Sequence, residues 1–221
     1  MLLNPKYTYE KLKRVEVNGQ RLYDTPSGKI ASVTTILDKT ADKTHLIEWR
    51  NRVGQANANQ ISKEAAELGT LMHTHLERHV LGEPRPSGTN IIHEMAKKMA
   101  DTMIESAFCH VDEVWGIEAS VYYPGLYAGT TDMVGLHQGQ AAIIDHKTSK
   151  KPKRREWITD YFLQTCAYAL AHNEIHGTNI NKCVINIVDR DANLQPFVIE
   201  GNEFDYYCEE WTKRVDRFYS Q

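Results

Sequence analysis

Cysteine is scarce and scattered. Cys109, Cys166, Cys183 and Cys208 form no CxxC pair and no cluster with metal-ligand spacing. That argues against a structural zinc or an iron–sulfur site, and for buried or half-buried thiols in a reducing compartment. No apolar run is long enough to span a bilayer, and the first residues lack the pattern of a signal peptide. Lys13-Arg14 is too little for a targeting sequence. No internal repeat or low-complexity tract is present. Net charge is small too, at -3, so the sum of charges does not announce a nucleic-acid partner. Its distribution says more: Lys147, Lys150, Lys151, Lys153, Arg154 and Arg155 crowd one short stretch.

A chain of 221 residues is expected to bury one real core. We read residues 1–221 as a single unit: an N-terminal hairpin and accessory helices over 1–60, then a core over 61–221. Val15 to Val17 and Arg21 to Tyr23 flank Asn18-Gly19, a favoured hairpin turn, and residues 25–28 form a second turn. Ser32 is a candidate cap for a short helix and Thr44 for the next. Helices are then expected over 60–81 and 89–108, separated by the Gly- and Pro-rich loop at 82–88. Ile91, Ile92, Met95, Met99, Met103 and Ile104 mark a core-facing stripe on the second. A strand over 114–123 leads into the central hairpin. A helix over 157–172, strands over 182–188 and 197–199, and an amphipathic helix over 203–219 complete the chain. The order predicts an α/β fold with a central mixed sheet flanked by helices and a helical N-terminal part.

The central hairpin carries the chemistry. Residues 131–136 and 141–147 are β-forming arms around a turn at Gln138-Gly139. That register pairs Leu136 with Ala141 and Val134 with Ile143, and sets Asp132 opposite Asp145. Opposed side chains stand about 4.5–5.5 Å apart at Cβ, where like charges repel. Lys147 lies two residues beyond Asp145, on the same face of its strand. Two carboxylates and one ammonium therefore converge, and Ala141 to Ile144 reads as a strand buried on both faces. A buried charge needs a partner or a metal, and a hard cation such as Mg²⁺ suits carboxylates and phosphate.

Other groups are candidates to join. His73 and Glu77 share a helix face, and a neutral imidazole there is either a metal ligand or a half-exposed side chain. His75 and His79 have zincin spacing, but Leu76 stands where a zincin needs its general base, which excludes a metalloprotease. Gln164 and Tyr168 share a face, as a surface amide and core-edge phenol or as hydrogen-bond partners of phosphate or lysine. Glu118 is either a third acidic group near the metal or polar decoration of its strand, and alternation favours decoration. Tyr127 and Trp157 are candidate stacking aromatics.

Taken in order, Gly69-x-x-x-His73-x-x-x-Glu77, Gly129-x-x-Asp132, Asp145-x-Lys147 and Gln164-x-x-x-Tyr168 resemble the signature of RecB-type PD-(D/E)XK nucleases. Ser32 to Leu37, Trp49 and Ile144 to Ser149 are similar to the mitochondrial genome maintenance exonuclease group. The resemblance covers roughly residues 30–172. Thr131 replaces the nominal proline, and His146 stands where this group often has tryptophan. The cysteines that hold an iron–sulfur cluster in CRISPR-associated relatives are absent, which points to the cluster-free branch.

The resemblance implies a restriction-endonuclease-like core and metal-dependent cleavage of DNA from a free end, with single strands favoured. It implies that His73, Asp132, Asp145 and the backbone carbonyl of His146 hold Mg²⁺ or Mn²⁺. Lys147 would orient water or stabilise the transition state, supported by Glu77, Gln164 and Tyr168. Lys150, Lys151, Lys153, Arg154 and Arg155 would hold backbone phosphates. Expected rivals are an endonuclease or flap nuclease on the same fold, and a non-cleaving DNA-binding recombination partner. The expected setting is cytoplasm or nucleoid, a host cytoplasm for a viral source, or the mitochondrion, with no membrane and with a recombination or replication protein as partner.

Overall fold

The computed structural model describes residues 1–17 and 19–220. Among the described residues nine strands and six α-helices follow one another: β1 (Leu2–Leu3), β2 (Lys13–Val17), β3 (Gln20–Thr25), β4 (Gly28–Ser32), α1 (Val33–Thr40), α2 (Thr44–Val53), α3 (Gln55–Leu81), α4 (Ile91–Ser106), β5 (Val111–Tyr123), β6 (Tyr127–His137), β7 (Gln140–Ser149), α5 (Thr159–His176), β8 (Lys182–Asp189), β9 (Leu194–Glu200) and α6 (Asn202–Tyr219). All nine strands join one mixed sheet in the order β2-β3-β4-β6-β7-β8-β9, with β5 pairing β1 and β6 off this path. The expected mixed sheet between helices is what the chain forms. Among the described residues no helix is long and apolar enough to cross a membrane.

Two cores cover the two faces. α1, α5 and α6 pack on one, where Ile36, Phe162, Tyr168 and Trp211 meet Val134, Ile143 and Ile185. α3 and α4 cover the other, where Met72, Leu76, Met99 and Met103 meet Met133, Ile144 and Val184. Residues 142–144 alternate between these cores and are fully buried, which explains the unbroken apolar run of that strand. Cys166 and Cys183 are buried and Cys208 half-buried as expected, but Cys109 is exposed.

Local signals set many of the ends. Ser32 Oγ accepts from Thr35 N at 3.0 Å and caps α1. Thr44 does not cap α2: Lys43 occupies that position, and Thr44 bonds Asp42 instead. α3 starts five residues earlier than its apolar pattern suggests, directly after Gly54. Its first turns bury only Ala58, so periodicity there has no core to report. Asn90 caps α4 through His93 N, and Ile91 falls outside the stripe, 75% exposed. The expected Asn18-Gly19 turn involves Asn18, outside the described residues; the strands beside it pair Val17 with Gln20.

The central hairpin has the expected register, with Leu136↔Ala141 and Val134↔Ile143, and longer arms. Its turn is two residues, with Gln138 at φ 52 and Gly139 at φ 78, the left-handed pair whose twist suits a tight hairpin. On the other side of β6, the pairing with β5 slips between Val111 and Gly116, and Gly135 faces that irregularity. A Cβ at Gly135 would run into the backbone carbonyl oxygen of Glu113. Backbone cannot rotate away as a side chain can. Gly135→Ala is therefore expected to destabilise the fold by about 1–3 kcal/mol, read from the urea midpoint at unchanged slope.

Candidate active site

β6 is flanked by β5 along one edge and by two strands in succession along the other. β4 pairs with it at Tyr127 and Ala128, and β7 joins it only from Met133 onward. Residues 129–132 therefore face a gap in the sheet. β4 leaves the gap by turning into α1 at Ser32, and β7 leaves by running on beside β8 to Ser149. The hairpin register would next set Asp132 against Asp145, but the ladder stops one rung short. On the other edge, pairing holds at Ala119↔Thr131 and Ile117↔Met133, and the rung between them, Glu118 against Asp132, is missing.

Three carboxylates thus stand in a row across three strands. Glu118 sits at φ 45 in the middle of β5, a left-handed conformation that costs a non-glycine residue about 1–3 kcal/mol. Its side chain joins a cluster instead of the strand's regular alternation. His73 Nδ1, delivered by α3, lies 3.6 Å from Asp132 Oδ1 and 4.0 Å from Glu118 Oε1. One ligand atom from each of the three lies within 4.8 Å of the others. Gly69, one turn before His73, lies next to Thr148, where even a Cβ would make an ordinary contact. Glu77, one turn after His73, is half-buried on the same face.

Asp145 lies beside this cluster and turns to Lys147. Lys147 Nζ is 2.5 Å from Asp145 Oδ2, and the other oxygen of this buried carboxylate, Oδ1, has no hydrogen-bond partner. The contact is ionic, and it leaves lone pairs free. His146 gives its backbone N–H to Asp132 Oδ2 at 2.7 Å. Its ring centre is 5.4 Å from that of Phe108. Lys147 lies 5.3 Å from the centre of the Tyr161 ring, a cation–π contact. Gln164 Nε2 donates to the Tyr168 hydroxyl at 2.9 Å.

The electrostatics follow from crowding and burial. Burial, reinforced by Asp132 and Glu77, pushes Glu118 up to about 7, against the pull of His73. Burial also raises Asp145 to about 6; Lys147 opposes this and Asp132 adds to it. Burial pushes Asp132 up as well, but His73, Lys147 and the His146 N–H outweigh it and hold that carboxyl below its ordinary value. Burial would lower Lys147, yet Asp145 and Asp132 drive it above the ordinary lysine range. Burial keeps the His146 ring neutral, down to about 4. The site is one firm anion, two reluctant ones and one firm cation. A cluster with free carboxylate lone pairs and a nearby imidazole fits a divalent cation.

The remaining candidates divide. Lys150, Lys151 and Arg154 are exposed and Lys153 is half-buried, on a loop tied to β9 through Lys153 and Gln195. Arg155 is a correction: its guanidinium is spent on Glu203 at 2.7 Å and the Val198 carbonyl at 2.9 Å, over the Phe162 ring. Tyr127 is buried against Trp211, 5.0 Å away, so it cannot stack a base. Trp157 is 62% exposed, with Arg154 over its ring. The structure puts Glu118 in the acidic cluster, the alternative to the polar-face position that strand alternation favours. The available signal was an acidic residue in the strand that leads into the hairpin bearing Asp132 and Asp145.

No family model matches the chain. It is similar to mitochondrial genome maintenance exonuclease 1 of Homo sapiens, 24% identical over 201 residues, covering 86% of this chain and 58% of that protein. The Xenopus tropicalis protein of that name is 24% identical over 212 residues, covering 87% and 58%. The chain thus spans under two thirds of the curated relatives it matches. A solved structure from Eubacterium rectale with a provisional exonuclease name superimposes at a TM-score of 0.50 and 12% identity, covering 70% of this chain and 64% of that one. That likeness establishes a shared fold.

Glu118 and Asp145 take up protons more readily in the folded chain than at their ordinary values of 4.5 and 3.8. Folding is therefore favoured as pH falls from about 7 to about 4, where the unfolded chain also becomes protonated. Asp132 acts in the opposite sense, and only near and below 3.8. A bound cation would replace those protons. In EDTA, the melting midpoint should rise as pH is lowered from about 7.5 to about 5, and Glu118→Gln should flatten that rise. Mn²⁺ should raise the wild-type midpoint strongly at the upper pH and weakly at the lower.

Proposed function

We propose that the chain is a divalent-metal-dependent exonuclease that hydrolyses phosphodiester bonds of DNA from free ends, single strands favoured. The observation that carries this reading is the cluster of His73, Glu118 and Asp132 beside the Asp145–Lys147 pair, in a gap between strands. The names of the relatives support it. We read residues 1–221 as one nuclease unit, with 1–60 as its accessory part. The compartments that suit it are cytoplasm or nucleoid, a viral host's cytoplasm, or the mitochondrion, and a recombination or replication protein would be a fitting partner.

Mg²⁺ or Mn²⁺ is the cation we assign, to be held by His73, Asp132, Asp145 and the backbone carbonyl of His146, with Glu118 as a further carboxylate. Bound there, such an ion supplies charge neutralisation at phosphate and a water of lowered pKa. The chain's own groups supply the rest. Asp145 keeps Lys147 cationic and fixes its position. That ammonium is the donor available where negative charge develops on phosphate. The Tyr161 ring limits the ammonium's freedom, and the bonded Gln164–Tyr168 pair supports the same side. Glu77 adds negative field behind His73. Lys150, Lys151, Lys153 and Arg154 lie on the loop that follows Lys147, suited to holding backbone phosphates. Arg155 contributes by fixing α6 to that loop.

End-labelled single-stranded DNA with Mg²⁺, and EDTA as control, is the direct test. Linear strands should be degraded and circular ones spared; cutting the circle would make the chain an endonuclease. Lys147→Ala and Asp132→Asn should each lose at least about a hundredfold in rate, and Lys147→Ala should still bind DNA. Metal-dependent cleavage retained by either variant would overturn the reading. Neutralising Lys150, Lys151 and Arg154 together should raise KM more than it lowers kcat.

A further inference from the structure

A cleft of about 220 Å³ opens beside the carboxylate cluster. Its walls include Arg14, Arg21, Tyr23, Ser32, Thr34 and Gln164, and it shares Glu118 with the cluster. Cross-strand pairing explains the first three. Arg14 opposes Tyr23 and Arg21 opposes Glu16, so both arginines and Tyr23 stand on one face of the β2–β3 hairpin. Tyr23 is buried there, with its hydroxyl 3.3 Å from Thr130 Oγ1 on β6. That contact holds the hairpin's charged face toward the gap. Neither guanidinium makes an ion pair or hydrogen bond among the described residues. Glu16 shares the face but does not line the cleft, and it forms no ion pair with Arg21 there.

The facing wall is the start of α1. Val33 and Thr34 are its first two residues, and their N–H groups have no partner within the helix. Ser32 Oγ and Thr34 Oγ1 are 2.9 Å apart and already share a hydrogen bond, beside the capping bond to Thr35 N. Thr35 Oγ1 in turn donates to the Arg21 carbonyl, tying the helix start to the arginine strand. The Ser32 and Thr34 hydroxyls are spent on this local network, so the two guanidinium groups, unpaired among the described residues, and the free N–H groups at the helix start are the donors the cleft offers a tetrahedral dianion or diester.

Resting on the nuclease reading, we propose that this cleft is a phosphate subsite. It seats a phosphate of the nucleic-acid strand next to the metal cluster, with Arg14 and Arg21 as its charged clamp. The N-terminal hairpin is then part of the binding site, which gives the accessory segment its role. The shared chemistry is phosphate; the source is either the terminal monoester of a DNA end or an internal diester.

The test measures binding without turnover. In EDTA, oligothymidylates carrying a 5′-phosphate, a 3′-phosphate or neither are titrated against wild type, Arg14→Gln and Arg14→Gln/Arg21→Gln. Affinity should fall tenfold or more in the double variant, and the log–log salt slope should flatten by about 1.4, two contacts at about 0.7 each on a single strand. Loss confined to one phosphorylated end assigns the subsite to that terminal monoester, and equal loss on all three assigns it to an internal diester. The melting midpoint and Mn²⁺ affinity should stay unchanged, which separates lost contacts from lost fold. Inorganic phosphate should raise the wild-type midpoint and leave the double variant's unmoved. Unchanged affinity and slope on every oligonucleotide overturn the subsite, whatever Lys147→Ala does to cleavage. A phosphate-dependent midpoint shift lost in the double variant, in a protein that cleaves no DNA, would keep the subsite and remove the nuclease reading.

Discussion

Three carboxylates in one gap, with one ammonium among them, set the terms for the rest of this molecule. Glu118, Asp132 and Asp145 stand on neighbouring strands, where regular pairing would crowd like charges together. The ladder is broken at Asp132 on both edges. What replaces the missing rungs is polar: the His146 N–H to Asp132, the His73 imidazole, and Lys147 against Asp145. These contacts offset the repulsion only in part, since two of the three carboxyls are pushed above their ordinary range by burial and by each other. Such an arrangement gives up stability for a concentration of negative charge, a trade found where a cation is to be held.

The gap exists because the sheet changes partner along one edge of β6. β4 ends by becoming α1, and β7 bends away to follow β8. Between them the two faces of the sheet communicate. His73 arrives with α3 from the methionine-rich core, and Lys147 meets Tyr161 of α5, on the side of the aromatic core. Neither layer alone contains the cluster. The site therefore depends on both cores being packed at once, and Ile143 and Ile144, pointing into opposite cores, fix the strand that carries Asp145 and Lys147.

The central hairpin was legible in the sequence because its signals are local: a Gly-containing turn, period-two alternation, and an apolar run buried on both faces. From them came the grouping of Asp132, Asp145 and Lys147, and the structure brings those three together with His73. Glu118 was only half legible: its carboxylate made it a candidate third acidic group, but alternation favoured the polar face. Alternation assumes extended backbone, and a residue at φ 45 leaves that rule without a marker in its neighbours. Arg14 and Arg21 were hidden for a different reason. Their hairpin was readable, but its packing against β6 through Tyr23 and Thr130 spans 107 residues. Arg155 read as a surface charge until its partners, Glu203 and Val198, came from the chain's far end. Local chemistry is written in the sequence; the partners of long side chains are not.

Charge balance ties the two neighbouring pockets together. A phosphate approaching Glu118 and Asp132 alone meets repulsion, and burial strengthens that repulsion by lowering the local dielectric. Arg14 and Arg21, exposed on the hairpin face, can attract it from solvent at a distance of about a Debye length. They cannot neutralise carboxylates that lie deeper in the gap. On the proposed reading a divalent cation does that, and Lys147, already committed to Asp145, keeps its charge through the change. The positive groups are thus arranged in sequence: guanidinium groups at the cleft, a cation at the cluster, and an ammonium beside it. Each answers a negative charge that the one before leaves unmet, and this ordering favours an anionic substrate that enters by the cleft and ends at the carboxylates.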